Sequence, residues 1–161
     1  MQNKYNVLFE EIFKSILENH TEKVEYLILH YLENEPHEGK ILLSEYLSNI
    51  KKDHEISKKI LYKLILKNKH DLQLRLRYIT ILFKNKEYTK AIKWCEKTLH
   101  MANKSQKKEI YYILAQIFYQ LNRPERAIQY INLCLKIDED YIPAKYLQNF
   151  ILKNLYYEPH H

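Results

Sequence analysis

Apolar and polar positions follow a helical period along nearly the whole chain, and over its middle the pattern recurs. Two stretches between Leu72 and Ile137, LQLRLRYITILFKNKEYTKAIKWCEKTLHM and KEIYYILAQIFYQLNRPERAIQYINLCLKI, align at an offset of 36. Tyr78 falls on Leu114, Ile79 on Ala115, Leu82 on Phe118, Ala91 on Ala127, Ile92 on Ile128, Cys95 on Ile131 and Leu99 on Leu135. Self-similarity of that length marks a repeat architecture. Each copy reads as a helical hairpin.

A third copy precedes these two. In GKILLSEYLSNIKKDHEISKKILYKLILKN the inward set is Leu43, Ser44 and Leu47, then Ile56, Ile60 and Leu64, each 35 residues before its counterpart in the next copy. Upstream, Leu8, Phe9, Ile12, Phe13, Ile16 and Leu17 form a broad helical stripe over residues 4–18. Asn19, His20 and Thr21 break it, with Thr21 as the candidate cap. The next helix turns Val24, Leu27, Ile28, Tyr31 and Leu32 inward, and Pro36 with Gly39 closes it. Val24, Ile28 and Leu32 stand 32 residues before Ile56, Ile60 and Leu64, which makes this a shortened first copy. Terminal repeats drift because one face meets solvent. At the other end, Asp138, Glu139 and Asp140 suit a helix N-terminus. The helix they start, residues 141–157, turns Ala144, Leu147, Phe150 and Ile151 inward and covers the end of the stack. The closing EPHH reads as a frayed tail or a tag remnant. The pattern thus predicts an all-α, single-domain solenoid over residues 1–161. Its hairpins cover 4–36, 37–70, 71–104 and 105–138, followed by the capping helix.

Composition agrees with helix throughout. One glycine and four prolines in 161 residues leave little for tight turns or a phosphate-cradling loop. The two cysteines, Cys95 and Cys134, sit at inward positions on different hairpins and read as small buried hydrophobes. The N-terminus meets acidic residues too early for a signal peptide, and no apolar run is long enough to span a bilayer. A cytoplasmic protein is therefore expected. Eight scattered histidines show no HExxH and no Cys/His metal spacing, and no nucleophile has a strained turn to present it. No catalytic residue, metal or cofactor is expected, which leaves the class of non-catalytic binding proteins.

Residues 108–137 carry the strongest family likeness: Tyr111, Leu114-Ala115, Phe118, Leu121, Ala127-Ile128, Tyr130 and Cys134-Leu135. In this the chain resembles the tetratricopeptide repeat family. The copy at 72–101 keeps Tyr88, Ala91-Ile92 and Leu99 but has Ile79 where the family prefers Gly or Ala. The copy at 37–66 has Ser44 at that place and Ile56 where the family has Ala. The resemblance implies a right-handed superhelix whose first helices line a concave face that holds a peptide or a partner's helix.

Carried onto this sequence, the implied groove comprises Leu76, Thr80 and Phe83, then Tyr112, Gln116, Tyr119 and Gln120, then Tyr146 and Phe150. Rings suit apolar pockets and amides suit backbone groups of a peptide. The same tyrosines also suit simple packing against the next helix. The lysine, asparagine and arginine clamp with which one sub-family grips a terminal carboxylate is absent.

Charge is divided unevenly, net −4 over residues 1–54 and net +10 over 55–161. Lys86, Lys90, Lys93 and Lys97 recur at helical spacing. Lys59 and Lys63 precede them, and Lys104, Lys107 and Lys108 follow. A basic surface of this kind suits RNA, a ribosome or an acidic partner, and it equally suits a solvated helix face. Two readings follow: an adaptor, chaperone or assembly subunit with a protein or peptide in its groove and a place in a larger complex, or a ribonucleoprotein factor docking through its lysines.

Overall fold

The computed structural model describes residues 14–157 apart from 16, 17 and 19. The helix expected over 4–18 and the EPHH tail lie largely outside the described residues. Among those residues there are eight α-helices and no strand. They are α1 (Thr21–Asn34), α2 (Pro36–Tyr46), α3 (His54–Lys67), α4 (Leu72–Lys84), α5 (Tyr88–Leu99), α6 (Lys104–Gln120), α7 (Pro124–Ile137) and α8 (Ile142–Tyr157). A π-helical turn, Leu47–Lys51, continues α2. The chain gathers into two compact units, divided between Leu64 and Ile65 within α3.

In the first unit a single residue, Glu35, separates α1 from α2. His20 rather than Thr21 occupies the N-cap of α1, and it makes no side-chain cap bond. Pro36 opens α2, where its missing N–H costs nothing. The chain can double back so abruptly because residue 39 is glycine. A Cβ there would lie 2.5 Å from the backbone nitrogen of Leu32 and 2.7 Å from its Cα. Val24, Ile28, Leu42 and Tyr46 form the core, with Leu27, Tyr31 and Leu32 half-buried against it. The Tyr46 hydroxyl donates to Glu25 at 2.6 Å, and Lys51 approaches the same carboxylate at 3.6 Å. These contacts hold the Glu25 carboxyl below its usual range, the tyrosine hydrogen bond being the largest cause.

The expected register of α3 requires correction. Ile56 is exposed and Ile60 half-buried, whereas Ser57, Leu61, Leu64 and Ile65 are buried. Ser57 therefore takes the small-residue place held by Ala91 and Ala127 in the later copies, and its hydroxyl donates to the Ser44 carbonyl at 2.7 Å. The physical reason lies in α2. From Ser44 to Ser57 is 13 residues, against 12 from Ile79 to Ala91 and 12 from Ala115 to Ala127. A π turn is an α-helix with one residue inserted, and Leu47–Lys51 absorbs the extra residue.

The second unit is built on one continuous core through α4 to α8. It includes Ile79, Leu82, Ala91, Cys95, Ile110, Leu114, Ala115, Phe118, Ala127, Ile131, Cys134, Ala144 and Ile151. Helices α4 and α5 pair as one hairpin and α6 and α7 as the next. Helix α8 packs on both α6 and α7. The Phe118 and Tyr130 rings stack at 5.3 Å between centroids, and Tyr78 meets Trp94 at 4.7 Å. Both hairpin turns use one device. The N–H of Lys86 donates to the Phe83 carbonyl and that of Glu87 to Leu82; 36 residues on, Asn122 donates to Tyr119 and Arg123 to Phe118. This is the Schellman closure of a helix end, and its left-handed residue is Lys86 (φ 59°) in one copy and Asn122 (φ 56°) in the next.

Left-handed backbone is disfavoured for a residue with a Cβ, but Asn tolerates it. Lys86→Gly is accordingly expected to stabilise the protein by ~0.5–1 kcal/mol, the relief of strain outweighing the added freedom of the unfolded chain. Asn122→Gly should gain less. Paired urea titrations measure both, and a loss of stability in Lys86→Gly would contradict the assigned closure.

Candidate functional site

The residues implied for the groove all lie in the second unit, on α4, α6 and α8, but they differ in what they offer. Leu76 is part of the buried core and presents no surface. Thr80 is half-buried, its hydroxyl donating to the Leu76 carbonyl at 2.9 Å. Phe83 packs on Tyr88 at 5.9 Å between ring centroids. Helix α4 thus contributes little open apolar surface.

Helices α6 and α8 contribute more. The Tyr112 ring stands edge-on to Tyr141 at 5.7 Å, and its oxygen accepts from the Gln116 amide at 3.3 Å. Burial raises the pKa of the Tyr112 phenol. Tyr119 meets Phe150 edge-to-face at 5.8 Å and accepts from the Asn154 amide at 3.4 Å. Gln120 is exposed. Phe150, expected inward, keeps 45% of its surface in solvent, Tyr146 keeps 75%, and Ile142 keeps 77%. Packing and exposure are therefore both real here: Tyr112 and Tyr119 spend part of each ring on neighbours, while Phe150 stays partly open against Tyr119 and Tyr146 is exposed one turn earlier on α8.

Ile142 was missed as a surface residue in reading the sequence. Its signal was the spacing Ile142, Tyr146, Phe150, a line of i, i+4, i+8 positions on one helix face. Helix α8 buries its other side through Ala144 and Ile151.

The lysines do not form the single helix stripe that their spacing suggested. Lys86 lies in the α4–α5 turn, before α5 begins at Tyr88. Lys90 pairs with Glu87. Lys93 and Lys97 are exposed on α5, and Lys104 is exposed at the start of α6, with Lys107 half-buried. Lys108 is bound into the structure: its Nζ lies 2.6 Å from an Asp138 oxygen and 5.0 Å from the Tyr141 ring centroid. That hydrogen bond pushes the Lys108 ammonium pKa up and holds the Asp138 carboxyl down. Lys59 and Lys63 are exposed on the part of α3 that belongs to the first unit. An open cavity of about 380 Å³ is lined by Lys104, Ser105, Lys108, Ile137 and Asp138, so a carboxylate already faces its cations.

Both thiols are buried. Burial is the main cause that pushes Cys95 up to about 12 and Cys134 up to about 11. The reactive thiolate is then scarce at neutral pH. Neither cysteine should react with a thiol reagent at pH 8 until the protein unfolds, and rapid native-state labelling of Cys95 would contradict its place in the core. Among the described residues no group of three His, Cys, Asp or Glu side chains is placed to hold a metal ion, and no helix is long and apolar enough to cross a membrane.

The family model described as anaphase-promoting complex, cyclosome, subunit 3 matches residues 84–152, from the last residue of α4 into α8. A solved structure reported under the functional characterization of Pseudomonas aeruginosa pilF shares the fold, with a TM-score of 0.73 at 12% identity. That match covers 96% of this chain and 70% of the other. No curated protein matches the sequence. The repeated hairpins, their common turn closure, their small-residue contacts and the shared fold agree: this chain is an all-α helical-repeat protein, and its residues 84–152 match a family of the tetratricopeptide type.

Proposed function

We propose that the protein is a non-catalytic interaction module, an adaptor, chaperone or assembly subunit, that holds a peptide or partner helix against the face carried by α6 and α8. The observation that supports this most is the exposure of Phe150 against the half-buried Tyr119 ring, with Tyr146 open one turn earlier on α8 and the Gln116 amide bonded to Tyr112 on α6. Large aromatics left open together are characteristic of interaction surfaces. The likeness of residues 84–152 to a family described by a complex subunit suits a place in a larger assembly. A cytoplasmic site of action belongs to the same reading. The alternative, docking on RNA or a ribosome through the lysines, is weakened because Lys90 and Lys108 already face carboxylates and Lys86 lies in a turn.

The test compares two variants in capture of partners from native lysate. Tyr112→Ala with Tyr119→Ala should abolish capture, while Lys93→Glu with Lys97→Glu should leave it intact and resistant to added salt and nuclease. Because both tyrosines also pack internally, circular dichroism and thermal melting of the double variant must show a folded protein. Capture that survives the tyrosine changes but is lost with nuclease would favour RNA, since phosphate contacts are salt-sensitive.

A further inference from the structure

We propose that the outer face of α1 docks a basic amphipathic helix of a partner protein, whose cations meet Glu22 and Glu33. That face carries Glu22, Tyr26, Leu29 and Glu33, an i, i+4, i+7, i+11 line lying wholly within Thr21–Asn34. Tyr26 keeps 69% of its surface in solvent and Leu29 keeps 60%, while Val24 and Ile28 bury the opposite side. The Tyr26 ring stacks on His30 at 6.5 Å between centroids, which orders it on the helix surface. Both glutamates are exposed, and among the described residues neither makes an ion pair. An open apolar pair is thus framed at each end by a carboxylate, over about 16 Å of helix axis. Lys23 lies about 100° round the helix from Glu22, off this line.

The sign of the frame decides what covers the pair. Phosphates of RNA and the headgroups of an anionic bilayer are repelled by both carboxylates. A second copy of this face is excluded by its own symmetry. An isologous contact sets residue i against j and j against i. Antiparallel pairing about the midpoint of Tyr26 and Leu29 would therefore set Glu22 of each copy on Glu33 of the other. Parallel pairing would set each glutamate on its own counterpart. A cationic partner gains at both ends, and complementary charge also speeds its approach and fixes its register. The helical form follows from the surface. The middle of a helix offers no free backbone groups for a strand to pair with, so side chains alone make the contact. A partner helix with apolar residues between two cations at the same spacing matches all four positions. It does so in either direction, because acid, apolar, apolar, acid reads the same both ways.

The site lies in the first unit and does not rest on the groove proposed for α6 and α8. A labelled synthetic helix tests it by fluorescence anisotropy against the full chain. Its lysines repeat the spacing of Glu22 and Glu33, and its leucines that of Tyr26 and Leu29. Saturable binding is expected, and the same peptide with glutamates in place of the lysines should bind ~10-fold more weakly. Tyr26→Ala with Leu29→Ala should weaken binding by ~10-fold or more. Glu22→Lys with Glu33→Lys should lose as much and transfer the preference to the glutamate peptide. Glu33→Lys alone should still cost ~threefold, and misfolding does not explain that loss, since a cation in the last turn of α1 suits the helix dipole. Glu96→Lys with Glu125→Lys, at exposed sites of the second unit, changes the net charge equally and should leave affinity unchanged. Absence of binding would overturn the proposal, as would equal losses in the two charge reversals or a preference that stays with the lysine peptide. Self-association of the chain alone that Leu29→Ala abolishes would overturn it too, by putting a second copy on this face. So would a photo-crosslink from position 29 to residues 1–13 of the same chain.

Discussion

Gly39→Ala is expected to lower stability by ~2 kcal/mol or more, although alanine is the better helix former. Two effects oppose each other at this site. Within α2 the added methyl restricts the unfolded chain and improves helix propensity by about 1 kcal/mol. Against that, the Cβ would stand 2.5 Å from the Leu32 nitrogen and 2.7 Å from the Tyr31 carbonyl carbon. Those are backbone atoms of α1, so no rotamer change relieves the clash. The two helices must separate, and with only Glu35 between them the separation disturbs Val24, Ile28, Leu42 and Tyr46 together. Overpacking of this kind costs ~1–3 kcal/mol and occasionally more, which outweighs the propensity gain. Thermal melting of the variant should show a fall of several degrees. An unchanged or raised melting temperature would mean that α1 and α2 do not approach as described.

The second large effect is expected at Ala127. This residue is fully buried where α7 meets α6, at the place occupied by Ala91 one repeat earlier and Ser57 two repeats earlier. Only a small side chain recurs there, because the two helices of each hairpin approach closely at that level. Ala127→Phe should destabilise by ~3 kcal/mol, the upper part of the range for forcing a large group into a packed site. The same residue introduced at Leu133, which is exposed on α7, should change stability by less than ~0.5 kcal/mol. Urea denaturation of the two variants tests the pair, and equal effects would show the helix to be turned the other way.

Much of this fold was legible in the sequence because repetition supplies an internal check. Ala91 and Ala127, Ile79 and Ala115, and Leu82 and Phe118 are all buried, and the pattern could be read in one copy and verified in the next. The third copy misled at α3 for a specific reason. A shift of one residue moves a helical stripe by about 100°, so an insertion hidden in the π turn placed Ile56 where Ser57 belongs. Serine gave no hydrophobic signal to correct the error, and its burial depends on a hydrogen bond to Ser44 that no periodicity reveals.

The candidate site was less legible. Whether a ring at a surface-facing position is open depends on neighbours from other helices. Tyr141 and Phe150 decide how much of Tyr112 and Tyr119 is left. The lysine stripe failed similarly. Its spacing was helical, but the Schellman closure placed Lys86 in a turn, and Asp138, 30 residues away, claimed Lys108.

The most direct test of the account is site-specific photo-crosslinking in native extract. A photo-reactive phenylalanine derivative replaces Gln120, exposed at the end of α6, in one protein and Lys97, exposed on α5, in another. The account predicts a discrete, nuclease-resistant protein adduct from the Gln120 position and none from the Lys97 position. Adducts formed only from Lys97, and removed by nuclease, would contradict it.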